Sequence, residues 1–261
     1  MDLIIPKTIH YCWFGHNPKP KLAQKCIRSW KRLCPDYEII EWSEDNFDIS
    51  SCPLYVQQAY ASGKWAFVTD YVRLKVVYEH GGVYLDTDVE LKKSLDPLLV
   101  YHAYFGFEDG IHIATGLGFG AVAGHPVIKA MMDDYESIPF IKEDGTLDQE
   151  TCPSRNTKIL LQYGLQQDDS LQILDGNIRI LPSIYLCPLS YYSGQRKCSL
   201  KTISIHWFYA SWKTETERTA RKKRIVRDRV DYIRHIPHRL MRKLLGDGIY
   251  DQIKHLLKRG N

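Results

Sequence analysis

"KWAFVTDYVRLKVVYEHGGVYLDTDVEL" runs from Lys64 to Leu91, and the reading of this stretch decides the fold. Phe67, Val68, Val72, Leu74, Val76 and Val77 recur at helical spacing and predict a helix over 64–82 that stops at the pair Gly81-Gly82. "VYLDTD" follows as a short apolar run ending in two aspartates, and it reads as a buried strand. Side chains alternate faces along a strand, so Asp86 and Asp88 are expected on one side and Thr87 on the other. Two carboxylates so placed repel unless something positive lies between them. Within the helix, Asp70 and Arg73 are three residues apart and share a face. They read either as a structural ion pair or as a carboxylate and a guanidinium fork that bond sugar hydroxyls and phosphate oxygens.

Outward from this stretch the chain alternates strand and helix patterns. Strands are expected at 7–15, 37–42, 103–109, 115–123, "IRILP" and "TISIHWF", and helices at 20–34, 125–137 and 156–165. Such alternation predicts an α/β sheet with crossover connections. Ligands of open α/β sheets sit at the carboxyl ends of strands. Trp13, Asp86, Asp88 and His206 all fall at expected strand ends.

The net charge of +4 hides a division. From Lys213 to the C-terminus there are 15 Lys and Arg against 6 Asp and Glu, which leaves 20 and 25 in the preceding body. An acidic body at 1–212 and a basic amphipathic helical tail at 213–261 are therefore expected as separate regions. The tail divides at Pro237 and at Gly246-Asp247-Gly248 into three short segments with apolar faces. They read either as a helical cap on the body or as an attachment to an anionic membrane surface. No groove-reading motif accompanies the charge, so nucleic acid is not an expected partner. Seven cysteines form no C-x-x-C pair and are odd in number, as in a reduced cytosolic chain. The N-terminal stretch lacks the pattern of a signal peptide.

The D-x-D of Asp86 and Asp88 suits a hard divalent cation, Mn²⁺ or Mg²⁺, that neutralises a leaving diphosphate. D-x-D also occurs by chance at strand-end turns. In "HWFYASW" (206–212), His206 offers an imidazole ligand, while Ser211 and Trp212 offer donors to a diphosphate. Aromatic packing is the structural alternative for Trp212, and also for Trp13, which could instead stack on a nucleobase.

"IPKTIHYCWFG", "KWAFVTDYVRLKVVYEHGGVYLDTDVEL", "TGLGFGAVAGHP" and "SIHWFYASW", in that order, resemble glycosyltransferase family 32, and the region from Asp70 to Asp88 also resembles the glucosylating domain of the large clostridial toxins. The resemblance implies a GT-A fold and a metal-dependent transfer that retains anomeric configuration. By position it assigns Trp13 to the nucleobase and Asp70 and Arg73 to ribose and donor sugar, with Tyr84 as the aromatic residue before the motif. It assigns Asp86 to ribose and sugar hydroxyls or to the metal through water, and Asp88 and His206 to the metal. Ser211 and Trp212 resemble the toxin residues at metal and diphosphate. The toxins carry an acidic ligand near the position of His206, which departs from that pattern. The implied catalytic residues are Asp86, Asp88 and Arg73.

The expected activity is transfer of a hexose from a nucleotide sugar, UDP-galactose or UDP-glucose, to a glycan or a lipid-linked saccharide in surface polysaccharide synthesis. Alternatives are a GDP-mannose-dependent mannosyltransferase and a metal-dependent nucleotide-sugar hydrolase. The expected location is the cytoplasm, peripheral on the inner face of the membrane through residues 213–261.

Overall fold

The computed structural model describes residues 3–209 and the helix 215–234. Strand β1 (Thr8–Cys12) is second from one edge of a seven-stranded sheet, paired in parallel with the edge strand β2 (Glu38–Trp42) and with β3 (Gly82–Tyr84). The order continues through β6 (Phe119–Ala121), β5 (Ala103–Gly106), β8 (Ile178–Leu181) and β7 (Gln172–Leu174). β6 runs against both β3 and β5, and β7 runs against β8, while β5 and β8 are parallel. The carboxyl ends of β1, β2, β3, β5 and β8 therefore share one edge. A second sheet pairs β4 (Val89–Leu91) antiparallel with β9 (Ser204–His206).

Helices α2 (Leu54–Ala61), α3 (Trp65–His80), α4 (Pro126–Glu136) and α5 (Cys152–Leu161) contribute to one core cluster. Its members include Tyr55, Val72, Val76, Phe105, Phe119 and Tyr135. α1 (Lys21–Leu33), α6 (Ser183–Leu186) and the small sheet contribute to the other, around Trp30, Val83, Val89, Leu91 and Leu117. Trp30 is fully buried and donates its indole N–H to the Val89 carbonyl at 2.8 Å, which ties α1 to β4. A buried indole needs such a partner.

The glycine pair does more than end α3. Gly81 and Gly82 take φ of 67° and 101°, values that only glycine adopts without strain. A Cβ on Gly81 would lie 2.9 Å from the Ala123 nitrogen, and one on Gly82 would lie 2.8 Å from the Thr8 carbonyl oxygen. The chain thus turns directly from the helix into the centre of the sheet.

Three expectations are corrected. The strand after Gly82 ends at Tyr84, so Asp86 and Asp88 stand in a turn and their common side does not come from strand alternation. The stretch 115–123 splits into a 3₁₀ turn at Thr115–Leu117 and the three-residue β6. The helix expected at 156–165 begins at Cys152. α2, β4, β7 and α6 were not anticipated, because each is too short to carry a clear period.

Residue contacts group 192–194 with the chain beyond 212, apart from the rest of the described residues. α7 (Glu215–Arg234) is one helix of 20 residues. The tail segments expected after Pro237 lie outside the described residues, as do Ser211 and Trp212.

His10 sits on β1 with no exposed surface. Its Nε2 is 2.8 Å from the Gly81 carbonyl oxygen, and its Nδ1 accepts the Trp42 indole N–H at 3.1 Å. These partners require the proton on Nε2. Burial pushes its pKa down to about 4, against the pull of the Gly81 carbonyl. The unfolded chain takes up this proton near pH 6.5, so stability is expected to fall as pH drops from 6.5 towards 4. A shift of that size corresponds to about 3 kcal/mol. Urea titrations across this range should show that slope in the native protein and a flatter one in His10→Gln.

Candidate functional site

The site is organised around a buried cation. Arg73 lies on α3 and is 4% exposed. Its Nη2 is 3.0 Å from Asp70 Oδ1 and 3.4 Å from Asp86 Oδ1. Its Nε donates to the Thr69 carbonyl at 2.9 Å, and its guanidinium lies 5.1 Å from the centre of the Tyr84 ring. The structural reading of Asp70 and Arg73 as an ion pair is observed. The helical ion pair forms, and the same guanidinium reaches the first aspartate of the D-x-D. Burial pushes the Asp70 carboxyl up to about 6 in spite of Arg73. Burial likewise raises Asp86, with Arg73 opposing it, and Tyr84 donates its hydroxyl to Asp86 Oδ1 at 3.1 Å.

Asp88 has a different cation. Its Oδ1 is 3.1 Å from His206 Nε2, and its Oδ2 accepts the Tyr209 backbone N–H at 2.7 Å. The β4–β9 pairing, which sets Val89 opposite His206, brings the imidazole to the turn. Burial opposes charge on both groups, yet each stabilises the other. Asp88 is held below the usual carboxylate range, and His206 is raised well above its ordinary value. The imidazole Nδ1 is buried, and the Cys187 side chain also interacts with the ring.

Asp86, Asp88 and His206 can each present one ligand atom, with all of these atoms within 4.8 Å of one another. Two carboxylate oxygens and one imidazole nitrogen form a donor set that fits Mn²⁺ or Mg²⁺. The proton shared by His206 and Asp88 marks a place where positive charge is already stabilised. The residues present therefore fit a divalent ion.

Trp13 follows β1 on the same sheet edge and is half-buried. Its indole N–H donates to the Asn17 carbonyl at 2.6 Å, and Lys19 Nζ lies 5.6 Å from its ring centre. No described hydrogen bond joins it to the aspartates.

Several residues at the site gave no signal in the sequence. Glu90 is buried on β4 and accepts from Lys25 at 2.9 Å, Lys92 at 2.7 Å and the Trp207 indole at 2.9 Å. It fixes the indole beside His206. Beneath Arg73, Asn156 donates to Thr115 Oγ1 at 3.0 Å, and Cys152 Sγ lies 3.1 Å from the same oxygen. These three come from a turn and a helix distant in sequence, and no spacing rule connects them. Gly116 marks the closest backbone approach, since a Cβ there would lie 2.5 Å from Asp86 Oδ2 and 3.0 Å from Arg73 Nη1.

Residues 20–105 match the family described as the glycosyltransferase sugar-binding region containing the DXD motif. This match agrees with the resemblance read from the sequence. Two relatives make the likeness more particular. One is inositol phosphoceramide mannosyltransferase 3 of Schizosaccharomyces pombe, 34% identical over 140 residues, a match covering 52% of this chain and 38% of the relative. The other is mannosyl phosphorylinositol ceramide synthase SUR1 of Saccharomyces cerevisiae, 27% identical over 201 residues, covering 72% of this chain and 49% of the relative. The chain spans less than half the length of either. Among solved structures, the PaToxG glycosyltransferase aligns with a TM-score of 0.47 and 18% identity, covering 60% of this chain and 69% of that one.

Gly116→Ala is expected to displace the Asp86 carboxylate, which Arg73 and Tyr84 hold in place. Isothermal titration with Mn²⁺ should show weakened binding, while the melting temperature falls by only the few degrees that correspond to about 1 kcal/mol of overpacking.

Proposed function

We propose that the chain is a metal-dependent, retaining glycosyltransferase that moves a hexose from a nucleotide sugar to a saccharide or lipid-linked saccharide. The observation that carries this reading is the convergence of Asp86, Asp88 and His206 within 4.8 Å, beside a buried Arg73. Asp88 and His206, with Asp86, would hold Mn²⁺ or Mg²⁺. When bound, the ion supplies Lewis-acid stabilisation of the departing nucleoside diphosphate. Arg73 presents fixed positive charge toward the donor sugar and orients Asp86, so little reorganisation is needed as charge develops. Asp70 offers a carboxylate to ribose or sugar hydroxyls, and Trp13 offers an indole face to the base. Ser211 and Trp212 remain candidates for the diphosphate.

UDP-galactose and UDP-glucose are the proposed donors, for a step in surface polysaccharide synthesis. A GDP-mannose donor is the second reading, favoured by relatives whose names describe mannosyl transfer. Thermal-shift titration of UDP and GDP with Mn²⁺ separates the two. Asp88→Asn should bind neither nucleotide, with its circular dichroism spectrum unchanged, and EDTA should have the same effect on the native protein. Undiminished binding in EDTA would overturn the metal-dependent scheme.

We also propose that α7 attaches the protein to an anionic membrane surface from the cytoplasmic side. Val226 and Val230 are 61% and 41% exposed on a helix rich in Lys and Arg. Apolar side chains flanked by bases suit an interfacial helix. No helix among the described residues is long and apolar enough to cross a membrane. Vesicles rich in phosphatidylglycerol should pellet the protein at low salt, and phosphatidylcholine vesicles should not. Replacing Lys222, Lys223 and Arg224 by Glu should abolish pelleting.

A further inference from the structure

The carboxylates around the site have cationic or N–H donor partners, with one exception. Asp70 and Asp86 share Arg73. Asp88 has His206 and the Tyr209 N–H. Glu90 has Lys25, Lys92 and the Trp207 indole. Asp109 holds His112, with Oδ2 at 2.9 Å from its Nδ1. The carboxyl of Glu108 makes no hydrogen bond or ion pair with any described residue. It is half-buried, and burial pushes its pKa up, with His206 the foremost of the charged groups facing it. Asp109, His112 and Asp86 also face it. A half-buried carboxylate without a protein partner keeps its lone pairs open to a hydroxyl donor from water or a ligand.

Its position is fixed by the fold. β5 runs parallel to β1 and β3, so Glu108, two residues beyond β5, stands on the sheet edge that carries Trp13 and Asp86. The Phe107 N–H donates to the Leu181 carbonyl at 3.0 Å, and the Glu108 N–H donates to the His112 carbonyl at 2.7 Å. Asp109 closes the turn by accepting the His112 N–H at 2.9 Å, and the Ile113 N–H donates to Thr157 Oγ1 at 2.8 Å. The carboxylate is therefore carried on a short, internally bonded turn and is held in position before any ligand arrives.

We propose that Glu108 is the acceptor-binding residue: its carboxylate accepts a hydrogen bond from the attacking hydroxyl and orients that oxygen toward the donor sugar. This rests on the glycosyltransferase reading of the same site. Asp70 and Asp86 turn toward Arg73, on the side assigned to the donor sugar. Glu108 has His206 as its principal charged neighbour and so belongs to the leaving-group side. In a transfer that retains configuration, the new oxygen enters on the face the diphosphate leaves. A hydroxyl held by Glu108 is on that face. The carboxylate orients through a hydrogen bond and takes no proton. As the hydroxyl oxygen bonds to the anomeric carbon, the bond from that carbon to the diphosphate breaks and its electron pair leaves with the diphosphate. The hydroxyl proton passes to a diphosphate oxygen.

Water can stand in for the acceptor, so the test needs no knowledge of the natural saccharide. Glu108→Gln and Glu108→Ala are compared with the native protein in two measurements with Mn²⁺. These are affinity for UDP and GDP by calorimetry, and release of nucleoside diphosphate from UDP-glucose, UDP-galactose or GDP-mannose in the absence of acceptor. The expected result is unchanged nucleotide affinity and melting temperature, with hydrolysis slowed about 100-fold in Glu108→Ala, the scale of a lost orienting contact. Hydrolysis at the native rate in both variants overturns the assignment. Affinity falling in step with rate also overturns it, because Glu108 then belongs to the donor site. A native protein that binds neither nucleotide overturns the proposed function itself, and this assignment falls with it.

Discussion

Arg73 is the charge on which the site depends. A guanidinium buried to 4% exposure is sustainable only when its charge and its N–H donors are met. Here Asp70, Asp86, the Thr69 carbonyl and the Tyr84 ring meet them. The dependence runs both ways, because burial pushes the pKa of both Asp70 and Asp86 up and Arg73 opposes the rise in each. One helical side chain thus opposes the protonation of two carboxylates. Removing it would leave two uncompensated acids in a poorly solvated place, at a cost of about 3–5 kcal/mol.

A second pair completes the charge balance across the turn. Asp88 and His206 stabilise each other's charge, and the backbone of β4 and β9 fixes the distance between them. The two aspartates therefore answer to different cations on different elements. Asp86 is thereby held toward the helix by Arg73, and Asp88 toward the imidazole of His206. Gly116 permits the arrangement, since any side chain there would strike the Asp86 carboxylate.

Periodicity made the long elements legible. α1, α3 and α4 each bury several apolar residues at helical spacing, and β1 and β2 are runs of branched and aromatic residues. The three-residue strands β4 and β7 and the four-residue α6 were not legible, because they draw their order from neighbours rather than from a pattern of their own. The D-x-D turn is the instructive case. Strand alternation led to the correct grouping of Asp86 and Asp88 for a reason the fold does not use, since β3 stops at Tyr84 and the turn gathers the two carboxylates.

The sequence by itself determined the α/β class, the helix that carries Asp70 and Arg73, and the residue types able to hold a divalent ion. Those features follow from local spacing, which residues near in the chain impose on one another. Only the tertiary structure decided which cation serves which aspartate, that Glu90 anchors Trp207, and that Glu108 reaches the same edge with its carboxyl unpaired. The pairs among these join residues 13 to 118 apart, and such distances are settled by sheet order and buried charge, which no local pattern records.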